Sequence, residues 1–235
     1  MTKSKRVKSF IKSHFPRTVG VYRDARQMLS RTSRAAVFSE IYHTNAWRDP
    51  ESVSGRGSTL SRTKVITSQL PLLLEELRAE TLLDAACGDF NWMRHTELGP
   101  IEYIGVDIVP DLILSNQALY QREGRTFVAL DITRDRLPDA DVILCRDCFI
   151  HLSFSSIKFA MSNFKKTEAK HVLITTHTSV TENFDCPDGS WRNVNLQLPP
   201  FNFPQPMKLI VEDAELGKYL GVWLLEEFDH IKRGT

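Results

Sequence analysis

Cysteine is scarce in this chain, and long runs of apolar residues are missing. Only four of the 235 residues are cysteines, and Cys145 and Cys148 alone have the spacing of a metal-binding pair. A structural zinc site normally needs two such pairs, so we expect no metal site. No apolar run approaches the roughly 20 residues of a membrane-spanning helix. Few cysteines and no recognisable signal peptide favour a reducing compartment, and we expect a cytoplasmic protein.

Charge is unevenly distributed, although the formal net charge is only +1. Residues 1–35 contain ten lysines and arginines and a single acid, Asp24, so this segment carries +9 and the remainder −8. We interpret residues 1–52 as a basic, partly helical extension, suited to peripheral contact with a membrane surface or a partner. A solvated tail and a transit peptide are the alternatives. The acidic remainder argues against nucleic-acid binding.

The most informative stretches are residues 82–90, Leu-Leu-Asp-Ala-Ala-Cys-Gly-Asp-Phe, and residues 103–107, Tyr-Ile-Gly-Val-Asp. An apolar run ends in Asp84 and turns at Gly88, and a second apolar run ends in Asp107. This spacing predicts one β-α-β unit, in which the glycine allows close approach of a ligand and the second acid accepts two ribose hydroxyls. The pattern therefore indicates a cofactor that contains a nucleoside.

Two such cofactors compete for this pattern. A dinucleotide site needs Gly-x-Gly-x-x-Gly, because its pyrophosphate lies against backbone amides at the start of the helix. Here Ala86 and Phe90 interrupt that motif, and Asp89 adds a negative charge. S-adenosylmethionine carries no phosphate, and its sulfur is cationic. The acid-rich turn therefore favours S-adenosylmethionine over a nicotinamide dinucleotide.

At these residues the chain resembles the class I, Rossmann-like, S-adenosylmethionine-dependent methyltransferases, including bacterial members. The resemblance extends from about Leu82 to Phe228 and depends on four segments: residues 84–89 as motif I, Asp107, residues 130–132 and residues 141–147. The chain departs from the family's acid-x-Gly-x-Gly-x-Gly at Ala86 and Phe90. The resemblance implies an α/β three-layer sandwich with a mostly parallel seven-stranded sheet and an antiparallel terminal hairpin, formed here by residues 53–235.

Hydrophobic periodicity places the predicted elements along the chain. We predict strands over residues 81–86, 103–108, 126–131, 142–145 and 172–176, and a hairpin of strands 208–212 and 221–228. Helices are predicted over residues 60–77, 111–122 and 155–164, with a further one near residues 22–29. Pro71 is expected to kink or split the first of the three longer helices.

The resemblance implies a role for each residue of the cofactor site. Asp107 would hold the ribose diol, Asp131 would accept from the adenine amino group, and Asp84 would organise the turn near the methionine amino group. Each acid also has a purely structural interpretation as a helix cap or turn residue. The complete expected set is Arg56, Asp84, Ala86, Gly88, Asp107, Ile108, Asp131, Ile132 and Arg146.

The segment after the fourth strand lies where the transferred methyl emerges in class I enzymes. Asp147 and His151 are the candidate general bases, His151 because of its near-neutral pKa. A structural role for the histidine is the alternative. Arg146 either binds an anionic group of the substrate or neutralises Asp147.

About thirty residues, 177–206, connect the fifth strand to the hairpin, and connections of this length are usually lids or binding segments. We expect His177, Trp191, Arg192 and Asn195 to bind a polar, ring-shaped acceptor, whereas Phe201 and Phe203 can equally fill the core. Leu198 precedes Pro199-Pro200-Phe201, where enzymes that methylate amino groups of DNA bases have a side chain able to accept a hydrogen bond. This difference argues against a base-modifying enzyme.

The sequence therefore predicts methyl transfer from S-adenosylmethionine to a small-molecule or saccharide-type acceptor, with oxygen favoured over nitrogen. Two rival functions remain open. A nicotinamide-dependent oxidoreductase would require the missing glycines, and a non-catalytic scaffold with the same fold would be supported by Phe90 in the cofactor turn. The acceptor and the oligomeric state are not determined by the sequence.

Overall fold

Seven β-strands form one sheet in the computed structural model, which describes residues 33–230. The strands are β1 Thr81–Ala85, β2 Glu102–Asp107, β3 Arg125–Ala129, β4 Val142–Cys145, β5 His171–His177, β6 Lys208–Asp213 and β7 Lys218–Leu224. The helices are α1 Arg34–Thr44, α2 Leu60–Glu76, α3 Pro110–Tyr120 and α4 Phe154–Phe164. Short 3₁₀ turns occupy Arg56–Ser58, Met93–His95, Phe149–His151 and Leu225–His230.

The order of strands across the sheet is β3-β2-β1-β4-β5-β7-β6. Neighbouring strands from β3 to β5 are parallel, and β7 runs antiparallel to both β5 and β6. The central strands β1 and β4 are buried throughout, as expected for parallel strands covered on both faces. The predicted fold class, with its antiparallel terminal hairpin, is confirmed.

Helices cover both faces of the sheet, because successive residues of a strand point to opposite sides. On one face, Leu82 packs in a cluster with Ile66 of α2 and Ile113 of α3. On the other face, Leu83 packs with Ile157 and Phe164 of α4. The result is the three-layer arrangement that the sequence predicts.

Two predicted elements need correction. The last strand spans Lys218–Leu224 rather than residues 221–228. It ends early because residues 225–230 form a 3₁₀ helix that buries Phe228 against Phe203, with 4.6 Å between the ring centroids. Pro71 does not split α2, which runs unbroken from Leu60 to Glu76. Buried leucines on both sides of the proline hold the helix against the sheet despite the missing hydrogen bond: Leu70, Leu73 and Leu74.

Part of the predicted N-terminal extension is a capped helix. The Ser33 hydroxyl accepts a hydrogen bond from the Ala36 amide, and α1 follows directly. Phe38 of this helix packs against the main core. Residues 1–32, with nine of the ten basic side chains of residues 1–35 and the helix expected near residues 22–29, lie outside the described residues, and the boundary between 52 and 53 stays a prediction.

Residues 33–230 contain neither a candidate membrane span nor a candidate metal site. None of the helices there is both long and apolar enough to span a bilayer. The same residues contain no group of three or more His, Cys, Asp or Glu side chains arranged to hold a metal ion.

Helix α4 allows the packing of the core to be tested with a matched pair of phenylalanines. Phe164→Ala should lower the free energy of unfolding by about 3–5 kcal/mol, because this fully buried ring would leave a cavity. Phe159→Ala, on the same helix but with 60% of its surface exposed, should change it by less than about 0.5 kcal/mol. Urea denaturation measures both, and equal losses would contradict the assigned face of α4.

Candidate active site

A cleft opens at the carboxyl ends of the parallel strands, where β1 lies between β2 and β4. Connections leave these two neighbours of β1 in opposite directions, and ligands bind at such switch points in open α/β sheets. We call this the first cleft. Its lining includes ten of the eleven residues predicted for cofactor binding and catalysis: Asp84, Ala86, Gly88, Asp107, Ile108, Asp131, Ile132, Arg146, Asp147 and His151.

Asp107 lies at the end of β2 and is tied to the turn after β1. Its carboxylate accepts hydrogen bonds from the backbone amides of Gly88 and Val109, both at 3.1 Å. Gly88 has a φ of +55°, and a Cβ there would clash with the Ser54 hydroxyl oxygen. Burial raises the pKa of Asp107 to about 6, although these backbone amides partly offset the effect.

Asp84 ends the β1 side of the cleft and is almost completely buried. The Tyr103 hydroxyl donates to its carboxylate at 2.7 Å. Burial raises the pKa of Asp84 to about 7, against the opposing effects of this hydrogen bond and the positive charge of Arg146. Asp84 and Asp107 therefore both hold their protons more tightly than ordinary aspartates.

Asp131 is held by a residue that lies far away in sequence. Arg34, on the first turn of α1, donates to its carboxylate at 2.8 Å and to the Thr133 hydroxyl at 2.6 Å. The same guanidinium donates to Asp188 at 2.7 Å. Arg34 thereby connects α1 to both the β3 end of the cleft and the connection after β5.

Asp147 follows β4 and lies among positive charges. Its carboxylate is 2.6 Å from the Lys218 ammonium and 3.3 Å from the Arg146 guanidinium. Burial alone would raise its pKa, but Arg146 and Lys218 outweigh that effect and hold the pKa well below its usual range. Asp147 is therefore always ionised near neutral pH, and it is a weak proton acceptor.

His151 is oriented by two contacts on different sides of its ring. Its Nδ1 lies 2.9 Å from the Ser190 carbonyl oxygen, so this nitrogen carries the proton and donates, and Nε2 keeps its lone pair. The Trp47 ring stacks on the imidazole, with 4.7 Å between the centroids. Burial lowers the pKa of His151, against opposing effects of Ser190 and Asp147, which favours the neutral form.

A second cleft adjoins the first, and four residues line both: Trp47, Ser54, Asp147 and His151. Two residues predicted to bind the acceptor, His177 and Trp191, line this second cleft. Arg56 also lines it and does not reach the lining of the first cleft, where the sequence analysis placed it. The two candidate bases therefore lie at the junction between the clefts.

Arg192 and Asn195 line neither cleft, unlike the other predicted acceptor-binding residues. The Arg192 guanidinium donates to the carbonyl oxygens of Phe149 and Leu152, at 2.7 and 2.5 Å. Asn195 donates to Val180 at 3.0 Å. Arg192 therefore attaches the connection between β5 and β6 to the segment after β4, and Asn195 bonds within the connection, because buried carbonyl groups need hydrogen-bond donors. Phe201 and Phe203 are also buried, as the alternative interpretation allowed.

Phe90 does not obstruct the first cleft. Its side chain is 1% exposed and packs against Tyr103 and Phe127, with 5.1 Å between the ring centroids in each pair. Its φ of +60° is the left-handed conformation that glycine adopts readily. The turn therefore keeps a backbone shape that suits glycine, and aromatic packing on the far face of the sheet compensates for the strain.

The contribution of α1 and the segment after it to the clefts was not predicted from the sequence. Phe38, Ile41 and Tyr42 of α1 line the first cleft, and Trp47 and Ser54 line both clefts. The signal was present in the sequence, because Ser33 precedes apolar residues at helical spacing. The strong basic bias of the segment led to its interpretation as an extension.

Solved structures share this fold. Human N-acetylserotonin methyltransferase, in complex with S-adenosylmethionine, aligns over 92% of this chain and 69% of its own at 10% identity, with a TM-score of 0.58. The N-methyltransferase NodS of Bradyrhizobium japonicum WM9 aligns over 70% of this chain and 96% of its own at 15% identity, with a TM-score of 0.52. The chain has the class I methyltransferase fold. No protein-family model matches the sequence, and no curated protein matches it significantly.

Because the pKa of Asp84 is raised, the stability of the folded protein should depend on pH. Between about pH 4 and pH 7 the folded protein binds more protons at Asp84 than the unfolded chain, so this residue's contribution to stability is lost as the pH rises. Asp84→Asn removes this titrating group. The melting temperature of the variant minus that of wild type should therefore increase as the pH rises from about 5 to about 8. Differential scanning fluorimetry over this range measures the effect.

Tyr103→Phe provides the matched comparison. Loss of the Tyr103 hydroxyl removes a hydrogen bond that lowers the Asp84 pKa, so this pKa should rise. When both proteins carry Tyr103→Phe, the melting-temperature difference between the Asp84→Asn variant and the protein that retains Asp84 should therefore change at a higher pH. A difference between Asp84→Asn and wild type that is constant across the pH range would contradict the assignment.

Proposed function

We propose that this protein transfers a methyl group from S-adenosylmethionine to a small-molecule or saccharide-type acceptor, with oxygen as the favoured acceptor atom. The observation that carries the proposal is the convergence of four carboxylates on one cleft at the carboxyl ends of consecutive parallel strands: Asp84, Asp107, Asp131 and Asp147. The class I methyltransferase fold supports the reaction class but leaves the acceptor open.

The donors and acceptors of the first cleft fit S-adenosylmethionine better than a dinucleotide. The buried Asp107 carboxylate suits the two ribose hydroxyls, and Asp84 suits the amino group of the methionine part. One carboxylate oxygen of Asp131 accepts from both the amide and the hydroxyl of Thr133, and the other accepts from Arg34, so the oxygen on Arg34 keeps a lone pair for an adenine amino group. An acid-lined turn would repel a pyrophosphate, and the reversed strand β7 is unlike a plain nicotinamide-binding sheet.

The cofactor, when bound, supplies an electrophilic methyl group on a cationic sulfur. The residues at the junction of the clefts then need to orient the acceptor and take up a proton. Methyl transfer to a hydroxyl of the acceptor would require that hydroxyl to give up its proton. The hydroxyl proton passes to Nε2 of His151.

His151 suits this role better than Asp147. Its Nδ1 proton is committed to the Ser190 carbonyl, which leaves Nε2 as the accepting atom, and its lowered pKa keeps the ring neutral and ready to accept. Asp147 has a pKa too low for efficient proton uptake, and its ion pairs make it a fixed charge that favours the protonated imidazole. Since a hydroxyl needs a base more than an amine does, this arrangement supports oxygen as the acceptor atom.

The cytoplasm remains the proposed location. All four cysteines are unpaired, which suits a reducing compartment. Contact of the basic N-terminal segment with a membrane surface or a partner, and the absence of a nucleic-acid substrate, are retained as proposals from charge alone.

Isothermal titration calorimetry with S-adenosylhomocysteine tests the cofactor directly. We expect micromolar binding of this product and no binding of NAD under the same conditions. Asp107→Ala should weaken the affinity by roughly 100-fold, because two hydrogen bonds to a charged acceptor are lost. Glu123→Ala, which removes an exposed carboxylate on the loop before β3, is the control and should bind like wild type.

The two rival functions predict different titrations. Binding of NAD in preference would support an oxidoreductase and overturn the proposal. No binding of either compound by correctly folded protein would favour a scaffold. A thermal melt of Asp107→Ala separates a lost site from a lost fold, since Gly88 and Val109 lose a partner in this variant.

Replacing Phe90 tests the scaffold alternative, in which this side chain prevents the cofactor from binding. Phe90→Ala should lower the free energy of unfolding by about 3–5 kcal/mol, because a buried aromatic cluster loses a member. Below its melting temperature, the variant should bind S-adenosylhomocysteine with an affinity within about twofold of wild type. A large gain in affinity on removing the ring would indicate that Phe90 obstructs the site.

A further inference from the structure

Among the residues that the structure describes, the second cleft has one cation that is available to a ligand. Three basic residues line it, and two of them are already paired: Arg62 with Asp213 at 2.6 Å, and Lys218 with Asp147 and Glu212 at 2.6 and 2.9 Å. Arg56 is exposed and has no carboxylate partner within residues 33–230. Its guanidinium is therefore free, in this part of the chain, to bind an anion from outside.

The backbone that carries Arg56 is held in place beside Asp147. The Gly57 carbonyl accepts a hydrogen bond from Arg146 at 2.9 Å, and the Ser58 amide donates to Gly55 at 2.9 Å. A Cβ at Gly57 would lie 2.6 Å from the Asp147 carboxylate, so only glycine allows this close approach. An anion on Arg56 would therefore bind next to the junction of the clefts.

A second, independent feature of the same cleft requires a partner. His177 is 3% exposed, and its Nδ1 makes no hydrogen bond to any of the residues that the structure describes. Burial lowers the pKa of this ring, so it is neutral and offers one donor and one acceptor. A buried polar atom without a partner is costly, and a hydroxyl group of a ligand would satisfy it.

Two tryptophans give the cleft flat apolar walls. Trp191 lines it with 64% of its surface exposed, so its ring is accessible to a ligand in the cleft. Trp47 lines it too and stacks on His151. Such faces pack against the face of a sugar or aromatic ring.

We propose that the second cleft binds an acceptor in which a hydroxylated ring carries a carboxylate or phosphate group, with the anion on Arg56 and a ring hydroxyl on His177. This inference rests on the proposed methyl transfer and assigns the class of its acceptor. A sugar acid and a phenolic acid share this chemistry. Arg56 then determines specificity at the acceptor site and does not bind the cofactor.

Two matched pairs of compounds test the proposal by calorimetry on the full chain saturated with S-adenosylhomocysteine. The pairs are glucuronate with glucose, and 4-hydroxybenzoate with 4-hydroxybenzyl alcohol, which separate a saccharide from a phenolic ring. We expect at least one acid to bind about fivefold tighter than its neutral partner. Arg56→Gln should abolish that preference, Arg56→Lys should keep part of it, and the exposed control Arg122→Gln should keep all of it.

The outcomes separate this inference from the cofactor assignment. Arg56→Gln should bind S-adenosylhomocysteine within about twofold of wild type, because Arg56 is not part of the first cleft. Equal binding of acids and neutral compounds, an acid preference that survives Arg56→Gln, or no saturable binding of either acid up to about 20 mM would overturn the acceptor class. Failure of wild type to bind S-adenosylhomocysteine would instead overturn the proposed function.

Discussion

The guanidinium of Arg146 is the interaction on which the site depends. It lies buried at the end of β4 and contacts three separate parts of the chain: Glu212 at 2.6 Å, the Gly57 carbonyl at 2.9 Å and Asp147 at 3.3 Å. Burial works against the charged form of Arg146, but Glu212 and Asp147 outweigh it and raise the pKa, so the charge persists. Because an uncompensated buried charge costs several kcal/mol, these partners are constrained to stay together. The hairpin strand β6, the loop of residues 54–58 and the end of β4 are thereby held in one arrangement.

The carboxylates of the first cleft have pKa values shifted in opposite directions, according to whether they lie in its interior or at its junction with the second cleft. In the first cleft, burial dominates and the pKa values of Asp84 and Asp107 rise. At the junction, Arg146 and Lys218 dominate and the pKa of Asp147 falls. Carboxylates whose pKa values differ in this way can take different roles. Asp84 and Asp107 would bind polar groups of a cofactor, and Asp147 would act as a permanent charge beside His151.

Helix α1 completes the first cleft from outside the sheet. Through Arg34 it contacts Asp131 at one end of the cleft and Asp188 in the long connection after β5. The Arg34 side chain therefore connects α1 to the segment before Trp191, although the two are far apart in the sequence. The cleft has a wall made of Phe38, Ile41 and Tyr42 that the sheet alone would not provide.

The sequence by itself determined the strands, the order of their acids and the terminal hairpin. These features are local: an apolar run followed by Asp84 or Asp107 places a carboxylate at a strand's carboxyl end whatever surrounds it. Only the tertiary structure decided what each polar side chain contacts. Arg56 and Arg192 both lie outside the longer helices and the strands. Arg56 is exposed in the second cleft, whereas Arg192 donates hydrogen bonds to the carbonyl oxygens of Phe149 and Leu152. The position of the Phe90 side chain was also not predictable from the sequence, because its packing against Tyr103 and Phe127 depends on the pairing of neighbouring strands. Contacts of this kind join residues far apart in the chain, and no local pattern encodes them.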